Sequence, residues 1–253
     1  MKISLITAIY NNRENIHSCI NSVLSQSFKD IEYIIIDGGS NDGSIELIRE
    51  NELQITKDLQ KFIFVSEPDS GIYDAINKGI NLASGEIIGL LHSDDVFYNE
   101  FVIEKIVNVF NNRNVDSVYG DLEYVSKEDL NKVFRYWKAG EFKYKILKQG
   151  WMPPHPTFFI KKKIYDEFGS FNHLFSIAAD YELIMRFLYK NKISIAYLPE
   201  VMVKMRVGGA SNKSIKNIFR KSFEDYQSLK INGINTPLIT LFLKNIRKLP
   251  QFF

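Results

Sequence analysis

Apolar positions fall along the first hundred residues as short β-branched runs separated by stretches with helical spacing. Ile3 to Ile9 (ISLITAI) is unbroken and closes on Tyr10, Asn11 and Asn12, which predicts a buried parallel strand. From Glu14 to Gln26, Ile16, Cys19, Ile20, Val23 and Leu24 share one face of a predicted helix. Ile31 to Ile36 predicts a second strand, stopping at Asp37-Gly38-Gly39-Ser40-Asn41-Asp42-Gly43-Ser44, a dense cluster of turn residues. Ser44 to about Asn51 predicts a helix, Lys61 to Val65 a third strand ending at Glu67-Pro68-Asp69-Ser70-Gly71, and Ile72 to Leu82 a further helix. Ile87 to Leu91 predicts a fourth strand, which breaks into His92-Ser93-Asp94-Asp95. This alternation with short connections predicts a doubly wound α/β sheet.

The second half is less regular. Phe101 to Phe110 predicts a helix, Val115 to Tyr119 a strand ending at Gly120-Asp121, and Glu123 to Tyr136 a hairpin. A proline-rigid loop, Trp151-Met152-Pro153-Pro154-His155-Pro156, precedes a strand over Thr157 to Ile160. Ala179-Asp180-Tyr181-Glu182 opens a helix to about Tyr189, then comes a strand over Ile193 to Leu198 and a turn at Gly208-Gly209-Ala210-Ser211. The pattern divides the chain into 1–98, 99–211 and a tail over 212–253.

Three strands of the first half end in loops bearing Asp37, Asp69 and the Asp94/Asp95 pair. Right-handed crossovers bring such loops to one edge of the sheet, and ligands bind at the carboxyl ends of parallel strands. Adjacent carboxylates raise one another's pKa unless a cation sits between them. Oxygen ligands of this kind suit Mg²⁺ or Mn²⁺, whose shells are completed by water and substrate phosphates. The alternative is that Asp94 or Asp95 caps the helix starting near Asn99.

At 253 residues, with 45% hydrophobic and 25% charged residues, the chain has ordinary globular composition. The single cysteine, Cys19, excludes an internal disulfide framework and a cysteine-rich zinc site, and a cytoplasmic setting is the default expectation. The apolar run at the N-terminus is strand-like and lacks a cleavage signature, and no stretch approaches the ~20 apolar residues that span a bilayer. The net charge of +2 hides a split: from Lys213 onward eight Lys or Arg face two acids, against 24 basic and 28 acidic residues before it. In the tail, Ile215, Ile218, Phe219, Phe223 and Tyr226, then Leu238 to Leu243, alternate with Lys and Arg. Such segments bind anionic membrane interfaces; the alternative is a helix packed on the domain with a solvated basic face. An acidic body argues against a nucleic-acid partner.

In order, ISLITAIYN, IIIDGGSNDGS, SEPDSGIYDAINKG, HSDD, MPPHPTFF and AADYELIMRF resemble the motifs of family 2 inverting nucleotide-sugar glycosyltransferases with the GT-A fold. The resemblance covers about Met1 to Ser211. It implies a mostly parallel doubly wound sheet, a smaller second sheet and a helical tail, with a nucleotide-binding half over 1–98 and an acceptor and catalytic half over 99–211. Asp37 would bond the nucleotide base, Thr7, Ile9, Tyr10 and Gly38 would line its pocket, and Asp69 would touch the nucleoside or instead cap the Ile72 helix. Ser93 and Asp94 would face the sugar or ribose, and Asp95 would hold Mn²⁺ or Mg²⁺. The triplet reads Ser93-Asp94-Asp95 where the motif is written Asp-x-Asp, a variation the family contains. Asp180 would be the general base of a one-step inverting transfer, or an ordinary helix cap, with Glu182 the second candidate base. His155 and Trp151 would border the acceptor, though Trp151 reads equally as core.

The implied activity is metal-dependent hexosyl or N-acetylhexosaminyl transfer from a nucleoside-diphosphate sugar, UDP by default. The acceptor would be a glycan or lipid-linked saccharide in bacterial surface-polysaccharide assembly, with the enzyme cytoplasmic or peripheral on the inner membrane face. A sugar nucleotidyltransferase would want a glycine-rich, cationic loop after the first strand, where this chain has Tyr10-Asn11-Asn12-Arg13. A catalytically dead nucleotide- or glycan-binding module is the other alternative, and it has no need of Asp180.

Overall fold

The computed structural model describes residues 1–208, 215–248 and 251. Its first half follows the sequence pattern closely: β1 (Ile3–Ile9), α1 (Arg13–Leu24), β2 (Ile31–Asp37), α2 (Ser44–Asp58), β3 (Lys61–Ser66), α3 (Ile72–Leu82) and β4 (Ile87–Leu90). β2 and β4 flank β1 and β3 flanks β2, all parallel. The unbroken apolar runs are explained by burial on both faces. Ile3 and Leu5 of β1, with Ile31, Tyr33 and Ile35 of β2, pack against α1 and the later helix Val102–Asn112, while Ile6, Ala8, Ile34 and Ile36 pack against α3. Cys19 is fully buried in the first of these layers, as its helical spacing predicts. α2 runs seven residues past the expected end near Asn51.

Beyond β4 come β5 (Val96–Phe97), α4 (Val102–Asn112), β6 (Ser117–Val125), β7 (Val133–Trp137), β8 (Phe159–Lys161), α5 (Lys162–Phe168), α6 (Ala179–Ile184), β9 (Ile195–Arg206), α7 (Ile215–Ile231) and α8 (Pro237–Ile246). α6 continues as one π-helical segment to Lys190. β6 and β7 form the expected hairpin. The strands expected to make a smaller sheet are joined to the first through β8, which pairs antiparallel with both β4 and β6. Among the described residues one nine-stranded sheet results, in the order β3-β2-β1-β4-β8-β6-β9-β5 with β7 on β6, and parallel register dominates it.

The strand expected to end at Gly120-Asp121 instead continues to Val125, because Asp121 turns inward. Its carboxylate accepts hydrogen bonds from Tyr136, Tyr197 and the Ala139 N–H. α7 and α8 dock on the body: Thr240 donates to the Lys148 carbonyl, and Lys244 pairs with Asp225 in a buried contact. Apart from Gly208, the turn expected at Gly208–Ser211 lies outside the described residues. No helix among the described residues is long and apolar enough to cross a membrane.

At the amino-terminal edge of the sheet, Glu32 ties four segments together. Ser4, Ser84 and Lys61 donate to its carboxylate, which has no solvent exposure. Burial pushes its pKa up, but the Lys61 ammonium and the serine donors outweigh this and hold the carboxyl down at about 2. A depressed carboxylate stabilises the fold above its unfolded pKa near 4.5 and loses that contribution as pH falls toward 2. Urea unfolding is expected to show about 3 kcal/mol of stability lost over that window. A Glu32→Gln variant is expected to be less stable at neutral pH and to lack this share of the acid dependence; a matching profile in the variant would refute the assignment.

Candidate functional site

The carboxyl ends of β1, β2 and β4 open into a crevice of about 750 Å³, closed on the far side by the His155 loop and α6. Ile9, Tyr10, Gly38, Asp69, Ser93, Asp94, His155 and Asp180 all line it. Gly38 at the tip of β2 lets Asp69 come close, since a Cβ there would lie 2.5 Å from Asp69 Oδ2 and push that carboxylate aside. The other Asp69 oxygen accepts the Gly71 N–H at 2.8 Å, forming the turn that starts α3. Asn12 donates to Ser93 at 2.9 Å and so braces the β1 loop against the β4 loop.

Thr7, Asp37, Trp151 and Glu182 are not brought to the crevice. Thr7 is buried, and its hydroxyl donates to the Leu91 carbonyl at 2.8 Å, fixing the backbone just before the Ser93-Asp94-Asp95 triplet. Asp37 is also fully buried; it accepts from the Gly39 and Ser40 N–H groups and from Ser66, so it shapes the β2 loop. Trp151 is 6% exposed, donates to the Ala139 carbonyl and packs on Tyr119 and Phe142. Glu182 is paired with Arg186 at 3.0 Å, and Arg186 in turn binds the carbonyls of Phe168, Gly169 and Ser170. Glu182, the second candidate base, is thus engaged away from the crevice.

Neither Asp94 nor Asp95 caps a helix. α4 begins only at Val102 without a side-chain cap, and Asn99 holds the preceding turn. Asp95 lies behind Asp94, fully buried; Oδ1 accepts the Arg206 N–H at 3.3 Å, and Oδ2 has no hydrogen-bond partner. Burial, reinforced by the Asp94 charge, pushes its pKa well above the usual carboxylate range. An unmatched buried carboxylate oxygen beside a second carboxylate fits a hard divalent cation, which would satisfy both. No group of three or more His, Cys, Asp or Glu among the described residues is placed to complete a metal shell. Water and ligand phosphates would have to supply the rest. Arg206, which sequence reasoning missed, spans this loop by binding the Asp94 and Lys127 carbonyls and Ser18.

Across the crevice, Asp180 stands in the first turn of α6, whose N-cap position is Ala178; the cap alternative for Asp180 is not what the structure adopts. Its Oδ2 is 3.4 Å from His155 Nδ1, and its Oδ1 is 3.4 Å from the Tyr73 hydroxyl. His155 Nε2 is hydrogen-bonded to His92 Nε2 at 3.2 Å. Burial opposes the Asp180 charge, but His155 when protonated, and the Lys244 and Lys221 ammoniums throughout, outweigh it and keep the carboxyl below its usual range. Burial likewise drives His155 down to about 4, so that the imidazole is neutral at pH 7. Asp180 is thus an ionised carboxylate facing the cavity. His92 sits within the motif as its first residue, yet its pairing with His155, 63 residues away, has no local signal.

The Asp180 turn is held from the tail. Glu224 of α7 accepts the N–H groups of Ser176, Ile177 and Ala178 together with the Ser176 hydroxyl, and Arg220 pairs with it at 3.0 Å.

Residues 4–171 match the family described as Glycosyl transferase family 2. An uncharacterised glycosyltransferase of Mycobacterium tuberculosis is 30% identical over 185 residues, 73% of this chain and 68% of the relative. A PGL/p-HBAD biosynthesis glycosyltransferase of Mycobacterium bovis is 24% identical over 220 residues, 86% of this chain and 82% of that one. Among solved structures, the mannosyltransferase PcManGT of Pyrobaculum calidifontis, in complex with GDP-Man and Mn²⁺, superposes with a TM-score of 0.69 over 99% of this chain and 72% of that chain, at 16% identity. TarS 1-349 of S. aureus with UDP-GlcNAc gives 0.68 over 93% of this chain and 73% of that chain, at 16% identity. Against a longer TarS chain the match spans 39% of its length.

Proposed function

The chain belongs to glycosyl transferase family 2, and from that premise we propose that it transfers a sugar, with inversion, from a nucleoside-diphosphate sugar to an acceptor hydroxyl. The observation that carries this reading is the Asp180 carboxylate, held ionised across a 750 Å³ crevice from Asp69, Ser93 and Asp94. The acceptor oxygen attacks the anomeric carbon as its bond to the diphosphate breaks, and the hydroxyl proton passes to Asp180. A divalent cation held by Asp95, with Asp94 beside it, would offset charge on the departing diphosphate. The α3 N-terminus, whose Gly71 and Ile72 line the crevice, adds positive potential for that diphosphate. UDP is the default nucleotide, supported by the UDP-GlcNAc complex of TarS, while the GDP-Man and Mn²⁺ complex of PcManGT keeps GDP in view. A hexose or N-acetylhexosamine destined for bacterial surface polysaccharide fits this reading.

The test is thermal unfolding with UDP, GDP and dTDP, each with and without Mn²⁺. Ligands that bind only the folded state raise the melting temperature. A Mn²⁺-dependent rise with one nucleotide, lost in Asp95→Ala, is expected. A protein that responds to none of them would not have this donor site.

The tail supports a peripheral membrane location as part of the same proposal. Phe219, Phe223, Leu238, Ile239 and Phe242 are all more than half exposed while the opposite faces of α7 and α8 dock on the body. Lysines and arginines flank them. Co-sedimentation with phosphatidylglycerol vesicles is expected and should be lost in Phe219→Asp/Phe242→Asp; equal pelleting of that variant would exclude this face.

A further inference from the structure

A second cavity, of about 580 Å³, lies between the β7 hairpin and α8. Arg135 and Lys138 come to it from the hairpin, and Lys244, Arg247 and Lys248 from α8 and the residues after it. No Asp or Glu is among the described residues that line it. Lys244 is paired with Asp225 at 2.7 Å, and Arg247 binds the backbone and side-chain carbonyls of Gln149. Burial, reinforced by the Lys221 and Lys244 charges, pulls Lys248 down to about 8. Arg135 is hydrogen-bonded to Gln251 and lies over the Tyr124 and Trp137 rings, which leaves Lys138 and Lys248 to meet an entering anion; gathering such cations in a partly desolvated wall favours one. Phe134, Tyr136, Trp137 and Trp151 supply aromatic surface beside these charges. Such faces pack against the C–H face of a sugar ring while the cations hold a phosphate.

The cavity is built into the catalytic half. α8 runs directly over Gly150, where a Cβ would lie 2.3 Å from the Lys244 nitrogen, and φ is +75°. The Trp151–Pro156 loop puts Trp151 and Met152 on this cavity and His155 in the donor crevice. The Lys244 ammonium sits 3.3 Å from the centre of the Tyr181 ring, next in sequence to Asp180.

The geometry points to a second binding site here, for a phosphate-bearing saccharide segment. Its identification as part of the acceptor rests on the glycosyl-transfer reading, whereas its existence does not. A ligand seated here is held by the His155 loop, which also borders Asp180, and by α8, whose Lys244 lies over the neighbouring Tyr181 ring.

The chain's two tryptophans, Trp137 and Trp151, both line this cavity, and neither lines the donor crevice. Tryptophan emission of the full chain, titrated with glucose 1-phosphate, is therefore a local reporter. A saturable change is expected, absent with glucose and weakened at least about tenfold in Lys248→Ala, equivalent to one lost charge contact. Phe134→Ala, half exposed and outside the core, is expected to weaken the same response without unfolding the chain. Asp95→Ala should leave it unchanged. No response, a response intact in Lys248→Ala, a response that inorganic phosphate equals, or one that only phosphatidylglycerol vesicles elicit would overturn the proposal. Nucleotide-dependent melting on the same protein reports separately on the donor site.

Discussion

Asp180→Asn is expected to lower kcat roughly 10²- to 10⁴-fold, the span a positioned general base contributes. The asparagine keeps the shape of the side chain beside Tyr73 and His155 but cannot take the acceptor proton. The donor crevice is otherwise untouched, so the Mn²⁺-dependent nucleotide shift should survive unchanged. That pairing of results separates loss of a base from loss of the fold. Glu182→Gln provides the contrast, since its carboxylate is spent on Arg186 and Asn232. Its removal should lower the melting temperature while leaving kcat within about tenfold of the parent. Should Asp180→Asn retain near-parental turnover, the proton must leave by another route and the inverting assignment fails with it.

The parallel half of the sheet was legible because strands buried on both faces must be continuously apolar, and each such run here ends in a polar loop. β6 runs past its expected end for a specific reason. Gly120-Asp121 has turn composition, but Asp121 is satisfied inside by two tyrosine hydroxyls and a backbone N–H, so the strand runs on through two shifts of register against β9. β9 was shortened in the same way, at Pro199 and Glu200, which lie mid-strand.

The candidate site divides along similar lines. Sequence places a carboxylate at the end of a strand but does not fix the direction of its side chain. Asp69, Asp94 and Asp180 face the crevice, whereas Asp37 bends back onto its own loop and Asp95 sits behind its neighbour. Periodicity puts Leu183, Ile184 and Phe187 in the core, and it gives no sign that Glu182 joins them to meet Arg186. Least visible was the dependence of the Asp180 turn on the tail. Glu224 lies 44 residues further along the chain, in a helix whose basic and aromatic surface reads as a membrane segment.

Glu224→Ala is accordingly expected to damage catalysis from outside the crevice. In the parent, burial works against the Glu224 charge, but the N–H groups of Ile177, Ala178 and Ser176 and the Ser176 hydroxyl outweigh it and keep the carboxyl ionised. Removing it leaves those donors, which lead straight into α6, without an acceptor. Stability should fall by about 3 kcal/mol, as for loss of a buried, multiply bonded charge. A freed turn displaces Asp180, and misplacement by about 1 Å is enough for a roughly 10²-fold loss in kcat. A general loss of packing would raise KM for the donor as well, so the kcat-against-KM split is the deciding readout. The donor KM should hold, because Asp69, Ser93 and Asp94 belong to loops that Glu224 does not touch. Glu224→Gln, which keeps an acceptor oxygen but not the charge, should recover part of the lost turnover. If kcat and donor affinity decline together in Glu224→Ala, and Glu224→Gln restores neither, Glu224 is a stabilising residue of α7 and the tail takes no part in holding the base.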